Sequence, residues 1–292
     1  GFSKEIDKGV LSLGGLDKNL TTWAEAKEVQ RPEINEKDEK NLPFDWHIVK
    51  KMELLRRLSV NEGVDIWFGS LGCGALVENK LVKGVIAATP NGRGVVLADV
   101  VIDSTGSSDI AITAGADYRF TDKNNANIQG AGLPPRQLGT SMFNSDYTFT
   151  DDTDMVDVWR NFVLAKNIFE DAYDLGTLVC TRERRRIRGE YTLTPLDIYN
   201  GRVFRDTIAY SKSNFDKHGF TIHPLFLFKP DIIYSHSWIP TACIPYRCLI
   251  PQGIDNILVT GLGISAHTDA MPIVRMQADI QNQGYAAGLA AA

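Results

Sequence analysis

The stretch LIPQGIDNILVTGLGISAHTDAMPIVRMQADIQNQGYAAGLAAA, residues 249–292, decides the fold that we predict for this chain. A short apolar run at Ile257–Val259 predicts a buried strand, and Gly261–Gly263 predicts the turn that follows it. A helix of small residues then begins near Pro272, because proline fits the first helical turn, where its missing N–H costs nothing. A glycine turn and a helix N-terminus both present backbone N–H groups, so this crossing suits an extended anionic cofactor.

The predicted C-terminal helix has two further features of a cofactor-binding element. Arg275 adds a full positive charge one turn into the helix. Gly284, Ala287 and Gly288 keep the helix slim, which would let it pack closely on a sheet. A C-terminal helix that packs well and binds nothing explains the same residues, so the pattern alone leaves both interpretations open.

An earlier stretch, ADVVIDSTGSSDIAITAGA at residues 98–116, repeats this design. Val100–Ile102 is a continuous apolar run, as in a strand that is buried on both faces. Asp103–Ser108 predicts a turn, and Asp109 can cap the helix that follows. We predict that the two strand-to-helix units lie side by side in one α/β layer, with a ligand at the carboxyl edge of the strands. A turn that serves backbone geometry alone is the open alternative.

The part of the chain before this unit predicts a helix and an antiparallel meander. Apolar residues recur at helical spacing from Ile48 to Leu58, and Asn61-Glu62-Gly63 ends the helix. Short strands follow, and Pro90-Asn91-Gly92 is a strong hairpin signal between two of them. The predicted strands are Val64–Phe68, Ala75–Val77, Val82–Ala88 and Val95–Leu97.

Residues 117–245 have a different character, with many aromatic side chains and several prolines. They predict an amphipathic helix at Met155–Tyr173, strands at Arg186–Leu193 and Ile222–Phe228, and a helix that begins at Thr194-Pro195. We interpret this region as an α+β substrate or cap domain that is inserted into the cofactor-binding domain. The predicted boundaries are 1–116 and 246–292 for the cofactor-binding domain and 117–245 for the inserted one.

Composition argues against several classes of function. The 292 residues carry a net charge of −5, with 43% hydrophobic and 23% charged residues, as in an ordinary globular protein. An acidic chain gives no reason to expect nucleic acid or an anionic membrane as a partner, and no apolar run is long enough to span a bilayer. The four cysteines are too scattered for a disulfide framework and fit no common zinc spacing, so we expect no metal site.

Four ordered blocks, spread over roughly two hundred residues, resemble the FAD-dependent oxidoreductases with a glutathione-reductase-like FAD domain, and in particular a large bacterial branch of them. Independent chance matches multiply, so four blocks in order are far more specific than any one of them. The first block matches at Ile102, Asp103, Thr105, Gly106, Asp109 and Gly115. The next two are Arg185-Arg186-Ile187 with Gly189, Tyr191 and Asp197, and then Asp216-Lys217-His218. The last comprises Pro245-Tyr246-Arg247, Leu249-Ile250-Pro251, Asp255-Asn256, Gly261, Ser265, Arg275 and Ala286-Ala287-Gly288.

The resemblance implies FAD as the cofactor and a fold that is α/β, namely an incomplete three-layer FAD-binding domain with a meander and the inserted α+β domain. In the family, the turn at Thr105-Gly106 lies along the adenosine side of FAD, and the loop from Gly261 to Ser265 approaches the pyrophosphate and the ribityl chain. The start of the last helix points at the flavin, where its dipole stabilises the anionic reduced ring. The cofactor-binding residues implied are Ser104, Thr105, Gly106, Asp109, Gly261, Gly263, Ile264, Ser265 and Arg275, and the catalytic ones are His267 and Arg275.

The chain also departs from the family pattern. The N-terminal strand, the GxGxxG turn and the acidic ribose ligand of the family do not occur in these 292 residues. Because Gly1 is no start methionine, we expect an upstream segment to have been removed and the FAD site to be one half of a complete one. His267-Thr268 reverses the order that is frequent in the family, and Pro272 stands where a glycine is usual.

Several polar side chains are candidates for the substrate pocket. His267 is a candidate acid or base beside the flavin, and a structural hydrogen-bonding histidine is the alternative. The cluster Arg182–Arg188 would suit an acidic substrate, although a strand whose arginines face water or acidic neighbours explains it as well. The remaining candidates, which ordinary packing also explains, are His218, His223, Tyr234, His236 and Trp238.

We therefore predict a flavoprotein that takes a hydride from a small substrate, with a hydroxylated molecule such as a sugar or polyol as the favoured class. The electron acceptor does not follow from the sequence. The alternative is a non-catalytic or split subunit derived from a flavoprotein, which needs another chain or an N-terminal segment to bind FAD. We expect a cytoplasmic protein that forms a homo-oligomer or pairs with a complementing N-terminal chain.

Overall fold

The computed structural model describes residues 48–121, 130–131, 154–168, 180–181, 185–217, 221–234 and 238–292 of this chain. Helices and short strands are mixed along these ranges, as in an α/β fold. The helices are α1 (Ile48–Asn61), α2 (Asp109–Thr113), α3 (Met155–Ile168), α4 (Pro195–Tyr199), α5 (Pro224–Phe228), α6 (Asp231–Tyr234), α7 (Met271–Val274) and α8 (Gln277–Ala291). The strands are β1 (Leu71–Glu78), β2 (Leu81–Thr89), β3 (Gly92–Leu97), β4 (Val101–Asp103), β5 (Tyr118–Phe120), β6 (Gly130–Ala131), β7 (Cys180–Thr181), β8 (Arg185–Ile187), β9 (Thr207–Lys212), β10 (Thr241–Pro245) and β11 (Ile257–Val259).

The chain divides into two compact units, and the second one contains the elements that matter for function. This second unit consists of Gly69–Ala131, Asp146–Val158 and Val179–Ala292. The three-layer arrangement and the domain boundaries at 116 and 245 stay predictions. Several sequence predictions lie outside the described residues, namely the N-terminal segment up to residue 47, the side chains of Arg182–Arg184, Tyr234, His218 and His236, and the end of the helix at 169–173.

The predicted meander is confirmed as a three-stranded antiparallel sheet in the order β1-β2-β3. Asn79 and Lys80 both have positive φ, 50° and 67°, as the tight turn of a right-twisted hairpin requires. The strand predicted at Val64–Phe68 is wrong, because β1 begins only at Leu71. The glycine-rich step belongs to β1. A Cβ at Gly72 would lie 3.0 Å from the Ile110 side chain, and one at Gly74 would lie 3.2 Å from that of Ile86.

The two predicted strand-to-helix units do lie side by side. β4 and β11 pair in parallel, with Val101 opposite Ile257 and Asp103 opposite Val259. All three residues of β11 are buried, as predicted. The prediction that the first strand is buried on both faces is wrong, because Ile102 is 36% exposed between two buried neighbours.

Two hydrophobic clusters form the core around these strands. One joins β2, β4, β11 and α2 through residues that include Val82, Ile110 and Val259. The other lies among β9, β10, α7 and α8 and is built from residues such as Ile244 and Met271. β9 and β10 are antiparallel to each other.

The single C-terminal helix predicted from Pro272 is wrong in one respect, because the chain forms two helices there. α7 ends at Val274, and α8 begins at Gln277 after Met276, whose ψ of 156° is extended. The buried Asp279 carboxylate accepts the Met276 N–H at 3.1 Å and so caps the second helix. Arg275 therefore lies between two helices and not one turn inside one.

The sequence suggested that the glycines of α8 permit close packing, but the structure does not bear this out. A Cβ at Gly284 or Gly288 would meet nothing within 4 Å, whereas Ala287 between them is fully buried. The alanine face therefore makes the contact.

The middle region contains one helix whose start was predicted correctly and one helix where the sequence predicted a strand. Thr194 caps α4 together with Asp197, as the Thr-Pro signal predicted. The strand predicted at Ile222–Phe228 is wrong, because His223 Nδ1 accepts the Leu225 N–H at 3.2 Å and Pro224 starts α5. Among the described residues, no helix has the length and apolar character to cross a membrane.

Candidate functional site

A buried carboxylate shapes the turn that follows β4. Asp103 is 2% exposed, and its Oδ1 accepts the N–H and the hydroxyl of Thr105 at 3.0 and 2.7 Å. Its Oδ2 accepts the N–H groups of Ile110 and Ala111, both at 2.9 Å. The prediction that Asp109 caps α2 is therefore wrong, because the Asp103 carboxylate satisfies the first helical amides.

The turn after β4 is bound directly to the turn after β11. The Ser104 and Thr260 hydroxyls lie 2.9 Å apart, and the buried Ser108 hydroxyl donates to the Gly263 carbonyl at 3.0 Å. A Cβ at Gly263 would lie 2.3 Å from Ser108 Oγ, so this glycine permits the close approach of the two turns.

The outer part of the first turn faces open space. Ser104 and Thr105 are exposed, and Gly106 has a φ of 86° with nothing within 4 Å of the place where a Cβ would stand. Asp109, also predicted to bind the cofactor, forms an ion pair with Arg185.

The second turn is held from behind by the C-terminal helix. Gly261 has a φ of 74°, and its N–H donates to the Gln283 side chain at 3.0 Å. The Gln283 amide donates in turn to the Val274 carbonyl at 3.1 Å and is fully buried. This one glutamine therefore ties the turn to both α7 and α8.

Two of the residues predicted to bind the cofactor lie inside the protein. Ile264 and Ser265 are both 0% exposed. The Ser265 hydroxyl lies 2.9 Å from that of Thr192. Their roles as cofactor contacts stay predictions, and in the structure both side chains belong to the packing beneath the turn.

Two ion pairs join the Asp216-Lys217 block to the terminal stretch. Arg275 donates to both the carbonyl and the carboxylate of Asp216, at 2.9 and 3.0 Å. Lys217 Nζ lies 3.1 Å from Oδ1 of Asp269, and both of these side chains are buried. Because Arg275 engages a carboxylate of the chain itself, its structural contacts are those of a positioning residue.

Asp269 organises the histidines of the site. Its Oδ2 accepts the backbone N–H groups of Ile222 and His223, at 2.8 and 2.7 Å. The ring of His223 then contacts the ring of His267 edge to face, with centroids 5.0 Å apart. The Asp269 carboxylate thus connects Lys217 to the start of α5, which in turn brings the His223 ring against His267.

His267 is neutral at physiological pH. Burial lowers its pKa to about 4, and the positive charges of Arg186 and Arg119 act in the same direction, against the opposing effect of Asp269. Nδ1 accepts the Asp269 N–H at 3.1 Å, so the neutral ring carries its proton on Nε2. His267 can therefore donate a hydrogen bond from Nε2, whereas service as a base at that atom would require the other tautomer.

His267 forms part of the wall of a polar hollow with a volume of about 350 Å³. β5 and β8 are antiparallel, and Arg119 lies directly opposite Arg186. The two arginine side chains therefore project from the same face of this strand pair. The residues that line the hollow are Tyr118, Arg119, Phe120, Thr121, Arg186, Arg188, Ile222, His267 and Thr268. Only part of this set could be seen in the sequence, where Arg186 and Arg188 were candidates within a cluster and Arg119 was missed.

A close backbone contact explains the glycine of the second block. A Cβ at Gly189 would lie 2.8 Å from Ser265 Cβ and 3.0 Å from the carbonyl oxygens of Arg247 and Ile250. Gly189 thus lets the segment after β8 lie against the terminal stretch, close to the residues that precede His267.

Sequence reasoning missed three residues that hold the site. Asp103 was seen only as a motif match, and Lys217 only as part of a block, while Asp269 was not singled out. A signal was present for two of them, since an acid at the carboxyl end of a buried strand and an acid two residues after a histidine both invite hydrogen bonds to nearby amides. In the part of the chain that the structure describes, no cluster of acidic, histidine and cysteine side chains could hold a metal ion.

The paired turns fit the edge contacts of an extended dinucleotide. Ser104, Thr105 and the open space at Gly106 lie at the carboxyl end of a parallel strand pair, where ligands bind in α/β sheets. Both residues are exposed, and their hydroxyls contact Thr260 and Asp103. Gly261 and Gly263 fit less directly, because Gln283 and Ser108 already contact them.

Comparison with known proteins adds a family to this geometry. The family model described as FAD dependent oxidoreductase matches residues 12–175 and 156–292, two overlapping parts that together span most of the chain. A search of curated proteins finds no match.

Proposed function

The chain belongs to the FAD-dependent oxidoreductase family, and on that premise we propose that it oxidises a small, hydroxylated substrate that binds in the hollow beside His267. Its cofactor is FAD, which when bound accepts a hydride from the substrate. The observation that carries the proposal is a neutral histidine in the wall of a polar hollow, within the compact unit that also contains the paired turns.

The residues of the chain have separate tasks in this proposal. Ser104, Thr105 and Gly106 would hold FAD at the open edge of the first turn. His267 would donate a hydrogen bond from Nε2 to a substrate oxygen and so orient the carbon that is oxidised. The hydroxyl proton that leaves with the hydride would pass to solvent at the open side of the hollow. Arg275 and Asp269 would act as positioning residues, since Asp269 fixes the ring through Nδ1 and Arg275 fixes the Asp216-Lys217 segment.

The first experiment tests the cofactor and the substrate class together. The purified protein is titrated with FAD, its visible spectrum is recorded, and a panel of sugars and polyols is added without oxygen. We expect a flavin spectrum that bleaches with at least one compound of the panel. A protein that takes up FAD but is reduced by none of them would contradict the proposed class.

A pair of glycine variants tests whether FAD lies at the first turn. Gly106 and Gly201 both have positive φ, 86° and 61°, and open space at the Cβ position. Replacement of either glycine by leucine should therefore introduce a similar backbone strain of about 1 kcal/mol. We expect Gly106→Leu to weaken FAD binding by about ten-fold or more, whereas Gly201→Leu leaves it unchanged. Equal FAD affinities in the two variants would sink this placement.

A variant of His267 tests its role in orienting the substrate. His267→Phe keeps an aromatic ring in the wall but removes the Nε2 proton. We expect the rate of flavin bleaching by the best substrate to fall by about 100-fold, with the FAD absorbance of the oxidised protein unchanged. An unchanged rate would assign His267 a structural role only.

The non-catalytic or split subunit is the second candidate, and the observation behind it is that these 292 residues contain no GxGxxG turn. This candidate predicts that FAD binds only in the presence of a second chain that carries the fingerprint. Stable FAD binding by the purified protein alone would exclude it.

A further inference from the structure

Positive charge is concentrated at the hollow beside His267. Arg119, Arg186 and Arg188 all line it, and none of the described residues in its wall is acidic. On an antiparallel strand pair, like charges that stand directly opposite each other are unfavourable. With Arg119 and Arg188 exposed beside the buried Arg186, the positive charge of this wall suits a ligand that carries negative charge.

Arg185 and Arg186 are neighbours on β8 but have different surroundings, unlike the arginines of an ordinary surface strand. Arg185 precedes Arg186 on β8 and so points to the other face, where it pairs with Asp109. Arg186 is instead buried and is fixed in the wall by bonds to the Ala266 carbonyl and the Thr121 hydroxyl, both at 3.1 Å. Arg119 and Arg188 stand at the exposed rim.

The remaining groups of the wall are suited to a small organic acid. Thr121, Thr268 and His267 make this wall polar, while Phe120 and Ile222 add an apolar part to it. A volume of about 350 Å³ admits a molecule of modest size. The planar guanidinium fork matches a carboxylate with two parallel hydrogen bonds.

We propose that the substrate is a small carboxylic acid, and that Arg119 and Arg188, at the rim of the wall that contains Arg186, bind its carboxylate. The proposal rests on the proposed function only in that the hollow is the substrate site. It narrows the class from hydroxylated molecules in general to those with a carboxylate beside the hydroxyl-bearing carbons.

Matched pairs of ligands test this proposal on the FAD-loaded protein. The probes are D-glycerate with glycerol, lactate with propane-1,2-diol, and D-gluconate with D-sorbitol, so that each pair exchanges a carboxylate for a neutral alcohol. Dissociation constants are measured by calorimetry. We expect at least one acid to bind about ten-fold or more tightly than its alcohol.

Arginine variants assign the binding to the hollow. Arg119→Gln and Arg188→Gln should each weaken the best acid by about ten-fold, and Arg119→Lys should restore only part of the affinity. Arg93→Gln is the control, because it removes the same charge from an exposed position on β3 of the same unit. Arg186 is left intact, since its replacement would also remove two buried hydrogen bonds.

Each remaining outcome decides the question. Equal affinities within every pair, no binding of any acid at about 10 mM, or acid binding that Arg119→Gln and Arg188→Gln leave unchanged would overturn the proposal. Inorganic phosphate that binds more tightly than every acid would overturn it too, as would loss of FAD from Arg119→Gln, because the arginines would then serve the cofactor. A protein that binds no FAD contradicts the proposed function itself, whereas one that binds FAD but no acid contradicts only this inference.

Discussion

At the scale of single residues, two buried carboxylates hold the site by accepting hydrogen bonds from the backbone. Asp103 binds the turn after β4, and Asp269 binds the start of α5 together with Lys217. Aspartate side chains are usually exposed to solvent, yet both of these are almost fully buried. The protein tolerates the burial of these two side chains because each accepts hydrogen bonds from several donors.

Replacement of Asp103 by asparagine tests this role. The amide side chain has nearly the same shape, but its NH₂ group would meet N–H donors and lose bonds that the carboxylate accepts. We expect Asp103→Asn to lower the free energy of unfolding by about 2–4 kcal/mol, measured by urea denaturation. The exposed Asp99→Asn is the control and should change it by less than about 0.5 kcal/mol. Equal effects of the two changes would contradict the role assigned to Asp103.

The pH dependence of stability contains two opposing contributions. Burial lowers the pKa of His267 from 6.5 to about 4, so the unfolded state binds more protons in this window and stability falls as the pH falls. Burial raises the pKa of Asp279 from 3.8 to about 6, so the folded state binds more protons and stability rises as the pH falls. The two effects therefore act in opposite directions in the unmodified protein.

Single variants separate these contributions. Relative to the unmodified protein, His267→Gln should gain about 3 kcal/mol of stability between pH 6.5 and pH 4, because the penalty for a neutral histidine is gone. Asp279→Asn should lose about as much over the same range. Urea denaturation at several pH values measures both differences, and a difference that stays constant with pH would rule out the pKa shift of that residue.

At the scale of elements, the same residue type has opposite consequences in different surroundings. Gly284 and Gly288 lie inside α8 and face open space, so their flexibility only weakens the helix. Gly189 lies against Ser265 and two carbonyl groups, where even a methyl group does not fit without movement. Sequence spacing cannot distinguish these cases, because the neighbours are distant in the chain.

Alanine substitutions make this contrast measurable. Gly284→Ala and Gly288→Ala should each raise the free energy of unfolding by about 0.5–1 kcal/mol. Gly189→Ala should lower it by about 1–3 kcal/mol, since it forces a crowded contact. Thermal or urea denaturation of the three variants suffices, and destabilisation by Gly288→Ala would show that close packing explains this glycine after all.

The elements that were predicted correctly carry strong local signals. The hairpin turns of the meander and the Thr194-Pro195 helix start each depend on residues that contact one another within a few positions. One of the elements that were predicted wrongly depends instead on residues that are farther apart in the chain. α5 forms because His223 caps it while Asp269, far along the chain, accepts the N–H groups of Ile222 and His223 just before the helix. The helix predicted from Pro272 divides where Asp279 caps a new start.

At the scale of the whole molecule, FAD should stabilise the protein by mass action. A ligand that binds only the folded state adds about 2.7 kcal/mol to the free energy of unfolding at 100 times its dissociation constant. We expect this increment for the unmodified protein and about 1.4 kcal/mol or less for Gly106→Leu at the same FAD concentration, because a ten-fold weaker affinity leaves FAD at only about 10 times the dissociation constant. Urea denaturation with and without FAD measures it, and an equal increment in both proteins would contradict the placement of FAD at the first turn.

The sequence by itself determined the fold class, the meander, the parallel strand pair and the family. These depend on the periodicity and turn residues within each segment and on the order of the four motif blocks along the chain. Only the tertiary structure decided how the terminal stretch is used. It turned Arg275 towards Asp216, buried Ile264 and Ser265, and brought Arg119 to the hollow beside His267. The physical reason is that burial and charge at a site depend on partners many residues away, which local spacing does not encode.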